Sequence, residues 1–125
     1  MNSFPNMRLS PYAPLVLRLG LSAVVLWFGV SQLIDAESWT IWVPGWVALF
    51  GLTPIAVVYL NGTFEVLFSS VLALGFFARP VAFLLFLHVF GIALLVGINA
   101  IGVRDFGIAA GFLALAFWES PLKRA

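Results

Sequence analysis

The chain has no cysteine, one histidine and few charged residues. Asp, Glu, Lys and Arg together make up 9% of its 125 residues. Without cysteine the chain by itself forms no disulfide, thiolate metal site, iron–sulfur cluster or dithiol redox couple. A single histidine offers at most one axial imidazole, so neither a haem ligand set nor another metal site is predicted. The net charge of +1 provides no basic patch, which argues against nucleic acid as a partner.

Apolar residues dominate instead. They form 63% of the chain, and the mean hydropathy is +1.13, whereas soluble domains contain roughly 45–50% apolar residues. A chain of this length has too little interior to hide so much apolar surface from water. The lipid bilayer is therefore the expected surroundings of the protein.

Four segments are apolar enough to cross the bilayer as helices, which takes about 20 residues each. They run at about 13–34, 55–77, 80–98 and 103–118, the last being short. The alternating pattern of membrane-spanning strands is absent. The sequence thus predicts an all-α fold, an integral membrane four-helix bundle in a single domain. No small-x-small cleavage site follows the first span, so we expect it to be retained rather than removed as a signal peptide.

Basic residues beside the spans predict the orientation of the chain. With a cytoplasmic N-terminus, five basic residues lie on the inner side and only Arg104 lies on the outer side. The inner five are Arg8, Arg18, Arg79, Lys123 and Arg124. Both termini are therefore predicted to face the cytoplasm.

The first outer loop, 35–54, contains three tryptophans. Trp39, Trp42 and Trp46 are spaced so that they would share one face of a helix. Tryptophan favours the membrane–water boundary, so we expect a short interfacial helix, bent or started near Pro44-Gly45. The spacing favours an aromatic belt, and a lid over an opening between the helices is the alternative.

Two local signals conflict with the second span. Asn61-Gly62 is typical of a hairpin turn, and Asn61-Gly62-Thr63 is a formal glycosylation site. Both lie deep in an apolar segment, where a turn would leave backbone groups without partners in lipid. We therefore expect a continuous helix there, with Gly62 allowing a neighbouring helix to approach closely.

Each span carries one stripe of polar or small residues. Intramembrane polar residues usually face the interior of a bundle, so the stripes predict a polar seam between the helices. The stripes are Arg18, Ser22, Gly29 and Gln32; Asn61, Glu65 and Ser69; His88, Gly91 and Asn99; and Arg104, Asp105, Gly107 and Gly111.

Depth divides the seam into two candidate groups. At 1.5 Å per residue, Glu65 and His88 both lie near the midplane, where they are the candidate proton-exchanging (catalytic) residues. The candidate ligand-binding residues lie nearer the outer side and are Asn61, Arg104, Asp105, Gln32 and Asn99. Whether Glu65 pairs with His88 or with Arg104 stays open. A purely structural role for the same polar groups is the alternative for each.

Four stretches of the chain together resemble a known family. They read LRLGLSAVVLWFGVSQLID, LNGTFEV, LGFFARPVAFLLFLH and VRDFGIAAGFLALAF. In order and spacing they are similar to the DoxX/DoxD-like family of small four-span membrane proteins, from Leu17 to Phe117. One departure is Gln32, where many relatives have a lysine.

The resemblance implies a multi-pass protein of the inner (plasma) membrane that is associated with quinone-linked redox chemistry. Named members are subunits of a terminal quinol oxidase or of a thiosulfate:quinone oxidoreductase. Quinone is the implied ligand, and no covalently bound cofactor is expected. A redox partner protein is implied as well, and assembly into a homo-oligomer is left open. No nucleotide or flavin fingerprint is present, so a self-sufficient oxidoreductase is not expected.

Three functions follow as hypotheses. The first is a quinone- or lipid-binding subunit of a membrane redox system, which handles protons through Glu65. The alternative is a structural or assembly subunit without a ligand of its own. The third, a small proton-coupled transporter, ranks last because the chain lacks the inverted repeats of many transporters.

Overall fold

Four long helices and one short helix make up most of the structure. The structure is a computed structural model that describes residues 10–118. The long helices are α1 (Tyr12–Ile34), α3 (Pro54–Leu74), α4 (Ala78–Val96) and α5 (Ala100–Phe117), and the short one is α2 (Ala36–Trp39). All four long helices have the length and hydropathy of membrane spans. No strand occurs within the described residues. The predicted all-α membrane four-helix bundle is confirmed.

Two helices end earlier than hydropathy predicts, because a glycine follows each of them. Gly75 adopts φ 88° and Gly97 adopts φ 90°, values that cost glycine little and other residues more. They stop α3 at Leu74 and α4 at Val96, although the apolar runs continue to 77 and 98. Hydropathy reflects how favourably a segment transfers into lipid, and it does not detect this change of backbone conformation.

Helix α5 begins earlier than predicted, because Asn99 caps it. The Asn99 side-chain oxygen accepts hydrogen bonds from the backbone N–H groups of Ile101 and Gly102, at 3.0 and 2.9 Å. An asparagine in this role satisfies N–H groups that have no partner within the helix. The helix therefore starts at Ala100 rather than near 103, and Asn99 lies outside α4 instead of extending the polar stripe of that helix.

The long helices pack as two close pairs, α1 with α3 and α4 with α5. Gly29 and Gly62 face each other where α1 crosses α3. A Cβ atom on Gly62 would lie 3.0 Å from the Gly29 carbonyl oxygen, and one on Gly29 would lie 2.9 Å from a Val66 methyl carbon. Only glycine lets the two backbones approach this closely, in the way predicted for Gly62.

An apolar core joins the two pairs at the end of the bundle opposite α2. Leu72, Leu85 and Phe112 are fully buried there. Many large apolar side chains on the outside of the bundle stay exposed, for example Trp27, Leu60 and Leu94. Such a surface suits contact with lipid tails, and the bundle therefore has the bilayer as a partner.

The loop between α1 and α3 is helical in short pieces. After α2 come two 3-10 helices, Thr40–Trp42 and Gly45–Phe50. Val43 is extended between them, as expected for a residue before proline. The break prevents the three tryptophans from sharing one face: Trp46 packs on Phe50 in an edge-to-face geometry at 6.1 Å.

Arg18 and Arg79 lie at one end of the bundle, and Arg104 lies at the other. Arg18 approaches Gly75 at the C-terminus of α3, Arg79 is in the first turn of α4, and Arg104 is in the first turns of α5. Arg8, Lys123 and Arg124, which also entered the orientation prediction, lie outside the described residues.

Candidate functional site

A chain of hydrogen bonds joins four polar side chains from three helices. The Asn61 amide nitrogen donates to the Gln32 side-chain oxygen at 2.7 Å, and Gln32 Nε2 donates to Glu65 Oε1 at 2.7 Å. Glu65 Oε2 lies 3.0 Å from His88 Nε2. Asn61 and Glu65 lie one turn apart on α3, and both face the interior. Asn61 reaches α1, and Glu65 reaches both α1 and α4.

The Gln32 amide can have only one orientation. Its nitrogen lies 3.0 Å from the Phe28 carbonyl oxygen as well as 2.7 Å from Glu65 Oε1. Both neighbours are acceptors, so the NH₂ group must point to them and the Gln32 oxygen must point to Asn61. Gln32 thereby presents a fixed donor to Glu65.

Glu65 is 5% exposed and both of its oxygens have a partner. A carboxyl group buried in an apolar bundle needs such partners, because transferring it from water without them is very unfavourable. The structure therefore decides between the alternatives that the sequence left open. Glu65 pairs with His88, whereas Arg104 pairs with Asp105.

His88 also packs against an aromatic neighbour. The Phe64 ring lies 4.4 Å from the imidazole, centroid to centroid, at an interplanar angle of 30°. The His88 side chain is 18% exposed. The imidazole is thus positioned with Nε2 on the carboxyl group and stays partly accessible.

Arg104 and Asp105 form an ion pair near the start of α5. Arg104 Nη2 lies 3.1 Å from Asp105 Oδ1, and Arg104 Nε donates to the same oxygen at 3.2 Å. The guanidinium also lies over the Phe28 ring, 4.7 Å from its centroid, a favourable cation–π distance. Asp105 is mostly buried, whereas 43% of the Arg104 side chain is exposed. Asp105 and Phe28 thereby orient a guanidinium that still has free donors.

A cavity of about 300 Å³ lies between these polar groups and the outer loop. Gln32, Asn61, Glu65, Arg104 and Asp105 supply its polar lining, and Trp39 and Trp42 line it from the loop. The rest of the lining is apolar and comes from all four long helices: Val24, Val25, Phe28, Val57, Val58, Val89, Ile92, Leu95, Val96, Ile101 and Ile108, with Val43 and Pro44 from the loop.

The comparisons with known proteins give one result. The family model that matches is DoxX, over residues 13–98. The chain belongs to the DoxX family. Comparison with curated proteins gave no match, and neither did comparison with solved structures. In this DoxX protein the matched segment contains all four hydrogen-bonded side chains, Asn61, Gln32, Glu65 and His88. Arg104 and Asp105 lie beyond the matched segment.

Two of the predicted site residues lie away from the cavity of the DoxX protein. Asn99 is exposed and caps α5. His88 does not line the cavity and reaches it only through Glu65. Within the described residues, no group of three or more His, Cys, Asp or Glu side chains comes together as a metal site would require.

Phe28 is a site residue that sequence reasoning missed. It contributes a carbonyl oxygen to Gln32, a ring to Arg104 and a wall to the cavity. Its position one turn before Gln32, on the same face of α1, was a usable signal. An aromatic residue in an apolar span does not stand out, however, when only polar residues are followed.

The arrangement combines three chemical capacities. Arg104 offers hydrogen-bond donors and a positive charge at the polar side of the cavity, and the surrounding apolar surface suits a ring or a chain. Glu65, with His88 behind it, offers a group that can hold or release a proton. A ligand of mixed character, with polar oxygens on an apolar body, matches this lining.

Proposed function

We propose that this DoxX protein binds the head group of a lipid-soluble quinone in the cavity. Its Glu65–His88 pair exchanges protons with the head group, and a partner redox protein exchanges the electrons. The observation that carries the proposal is the Glu65–His88 pair, whose carboxyl group lines a mainly apolar cavity. The Arg104 guanidinium lines the same cavity. The quinone-linked chemistry that family membership implies supports the choice of ligand.

The size and lining of the cavity favour such a head group. Small-molecule sites commonly occupy 300–1,000 Å³ and are mostly apolar with a few placed polar groups. A volume of about 300 Å³ suits one substituted ring rather than a larger cofactor. Arg104 and Asn61 are the donors for carbonyl oxygens, and Phe28, Trp39 and Trp42 offer aromatic surface to a ring. An isoprenoid tail would extend from the cavity into lipid.

Proton handling is assigned to Glu65 and His88. When bound, a quinone supplies a two-electron, two-proton interconversion with its quinol. Glu65 lines the cavity and holds a proton on that side, while His88 Nε2, at 3.0 Å, can replace or remove that proton from behind. Gln32 donates to the other Glu65 oxygen and keeps the carboxyl group in place during the exchange.

Electrons must come from or go to another molecule. The chain has no cysteine for dithiol chemistry, and its sequence has no flavin fingerprint. We therefore propose that the protein is a subunit that works with a redox partner protein, in the inner membrane that the family resemblance implies. Arg18 and Arg79 would mark its cytoplasmic end, in line with the positive-inside rule.

Binding can be tested with short-tailed ubiquinone and menaquinone analogues. Purified protein is titrated in lipid nanodiscs, and the heat of binding and the melting temperature are followed. We expect saturable binding to wild type, a rise in melting temperature, and weaker binding to Arg104→Gln. Arg79→Gln is the matched control, because Arg79 lies at the opposite end and donates to the Ala116 carbonyl oxygen. Absence of binding to wild type, or equal loss in both variants, would contradict the proposal.

A structural or assembly subunit is the second candidate, and one observation favours it. The amide of Gln32 and both Glu65 oxygens are satisfied within the chain without any ligand. Under this alternative, Glu65→Gln leaves assembly and cellular phenotype unchanged, because the hydrogen-bonding shape is kept. Under the quinone proposal it removes the exchangeable proton, so that analogues still bind but the phenotype is lost.

A further inference from the structure

Two buried polar side-chain atoms within residues 10–118 have no hydrogen-bond partner, and both belong to α1. They are Arg18 Nε and Ser22 Oγ. Ser22 is 1% exposed and lies within an apolar membrane span. A buried hydroxyl without a partner is unfavourable in such surroundings, so these two atoms, one helical turn apart, require an explanation.

The second helix of the pair places another serine beside them. Helices α1 and α3 run antiparallel, with Gln32 opposite Asn61 near one end and the Arg18 guanidinium against Gly75 at the other. Ser22 therefore lies opposite the last turns of α3, which include Ser69. Ser69 is fully buried, and the one hydrogen bond of its hydroxyl is a long one, 3.4 Å to the Val66 carbonyl oxygen.

These groups form a polar line through the apolar half of the bundle. Ser69 lies one turn from Glu65 on the same face of α3, and Ser22 lies one turn from Arg18 on α1. The line therefore runs from Arg18 through Ser22 and Ser69 to Glu65. Val25 and Leu72, which lie in the same part of the bundle, belong to the apolar core.

We infer that water molecules bind between α1 and α3 at Ser22 and Ser69 and connect Glu65 to the membrane face at Arg18. A buried water typically makes about three hydrogen bonds to groups that would otherwise lack partners, and Arg18 Nε and the two hydroxyls are such groups. We further infer that these waters form a proton path, and this step rests on the proposed function. For each proton that Glu65 passes to a quinone oxygen, one proton enters the path from the solvent at Arg18. The ligand and the protons thus reach Glu65 from opposite ends of the bundle.

Hydration at Ser22 and Ser69 can be measured by solid-state NMR, in which magnetisation is transferred from water to the protein in bilayers. The serine signals are assigned by their loss in Ser22→Ala and Ser69→Ala. We expect both serines to receive magnetisation well before Val25 and Leu72. Transfer to Ser22 and Ser69 as slow as transfer to those core residues would overturn the inference, whether or not a quinone binds.

The sign of a stability change gives a second test. If water satisfies the Ser22 hydroxyl, Ser22→Ala removes a hydrogen bond and lowers the melting temperature. If the hydroxyl is dry and without a partner, the same change raises the melting temperature, and the inference fails. Ser31→Ala is the control on α1, since the Ser31 hydroxyl already donates to the Trp27 carbonyl oxygen at 2.8 Å.

The proton path itself is tested on the single histidine of the chain. In untagged protein labelled with nitrogen-15 at histidine, the exchange of the His88 ring proton for deuterium is followed with the cavity filled by a quinone analogue. We expect exchange to continue in wild type and to slow in Ser22→Val and Ser69→Val. Unchanged exchange in both variants would exclude the path. Analogue binding is measured separately, so loss of the path and failure of the quinone site are distinguishable.

Discussion

Replacing Glu65 with glutamine is the sharpest test of the hydrogen-bond chain. Gln32 Nε2 is oriented by the Phe28 carbonyl oxygen and always presents N–H to position 65. The new amide must therefore turn its oxygen to Gln32 and its NH₂ group to His88 Nε2. His88 then accepts at Nε2, and its ring proton must be on Nδ1.

The magnitudes separate this change from truncation. Side-chain hydrogen bonds between membrane helices average about 0.6 kcal/mol and reach about 1.7 kcal/mol each. Glu65→Ala removes two of them, so it should cost about 1–3 kcal/mol, with a further loss from the void that it leaves. Glu65→Gln keeps both bonds and should cost less than about 1 kcal/mol.

Two measurements check these expectations. Reversible unfolding in mixed detergent micelles gives the free energy of unfolding of wild type, Glu65→Gln and Glu65→Ala. Nitrogen-15 NMR of the single histidine distinguishes the two neutral tautomers and the protonated ring. We expect Glu65→Gln to show the Nδ1–H tautomer together with near-native stability.

Either of two results would refute the reasoning. If Glu65→Gln destabilises the protein as much as Glu65→Ala does, the carboxyl group is not held by two replaceable hydrogen bonds. If His88 in Glu65→Gln carries its proton on Nε2, the imidazole does not face position 65 as the structure places it.

Three further comparisons test individual contacts of the bundle. Gly62→Ala should cost about 1–3 kcal/mol in the same unfolding assay, because its Cβ would lie 3.0 Å from a backbone oxygen of α1. Gly107→Ala, with nothing within 4 Å, should be neutral or stabilising by up to about 1 kcal/mol, and the reverse order would contradict the close crossing. Asn99→Ala should cost about 1 kcal/mol through the lost helix cap and leave quinone-analogue affinity unchanged in calorimetry; reduced affinity would make Asn99 part of the site. Gln32→Lys retains a donor for Glu65 and should melt at a higher temperature than Gln32→Leu, which retains none; equal melting temperatures would show that this donor does not stabilise the bundle.

Much of the fold follows from local patterns in the sequence. Apolar runs long enough to cross a bilayer predicted the four long helices, since the free energy of placing a helix in lipid depends mainly on its own residues. The same local rule overruled the hairpin signal of Asn61-Gly62. Helical periodicity also placed Asn61 and Glu65 on one face, because a turn of helix brings residues four apart together whatever surrounds them.

Helix ends were predicted less well, for a reason that is still local. Gly97 stops α4 by adopting a positive φ, and Asn99 starts α5 by capping it. Both signals are present in the sequence, but neither changes the hydropathy on which the spans were predicted.

Only the tertiary structure decided which polar groups meet. Periodicity gives the face of each helix but neither the order of helices around the bundle nor their rotation against each other. Glu65 had both His88 and Arg104 as candidate partners, because the order of the helices around the bundle was not known. The close crossing at Gly29 and Gly62 brings Gln32 within hydrogen-bond distance of one oxygen of Glu65, and the other oxygen is free to contact His88. Arg104 forms its ion pair with Asp105, the next residue on the same helix. The cavity exists for the same reason: α1–α3 and α4–α5 pack tightly as pairs and less tightly against each other, which no single segment of sequence encodes.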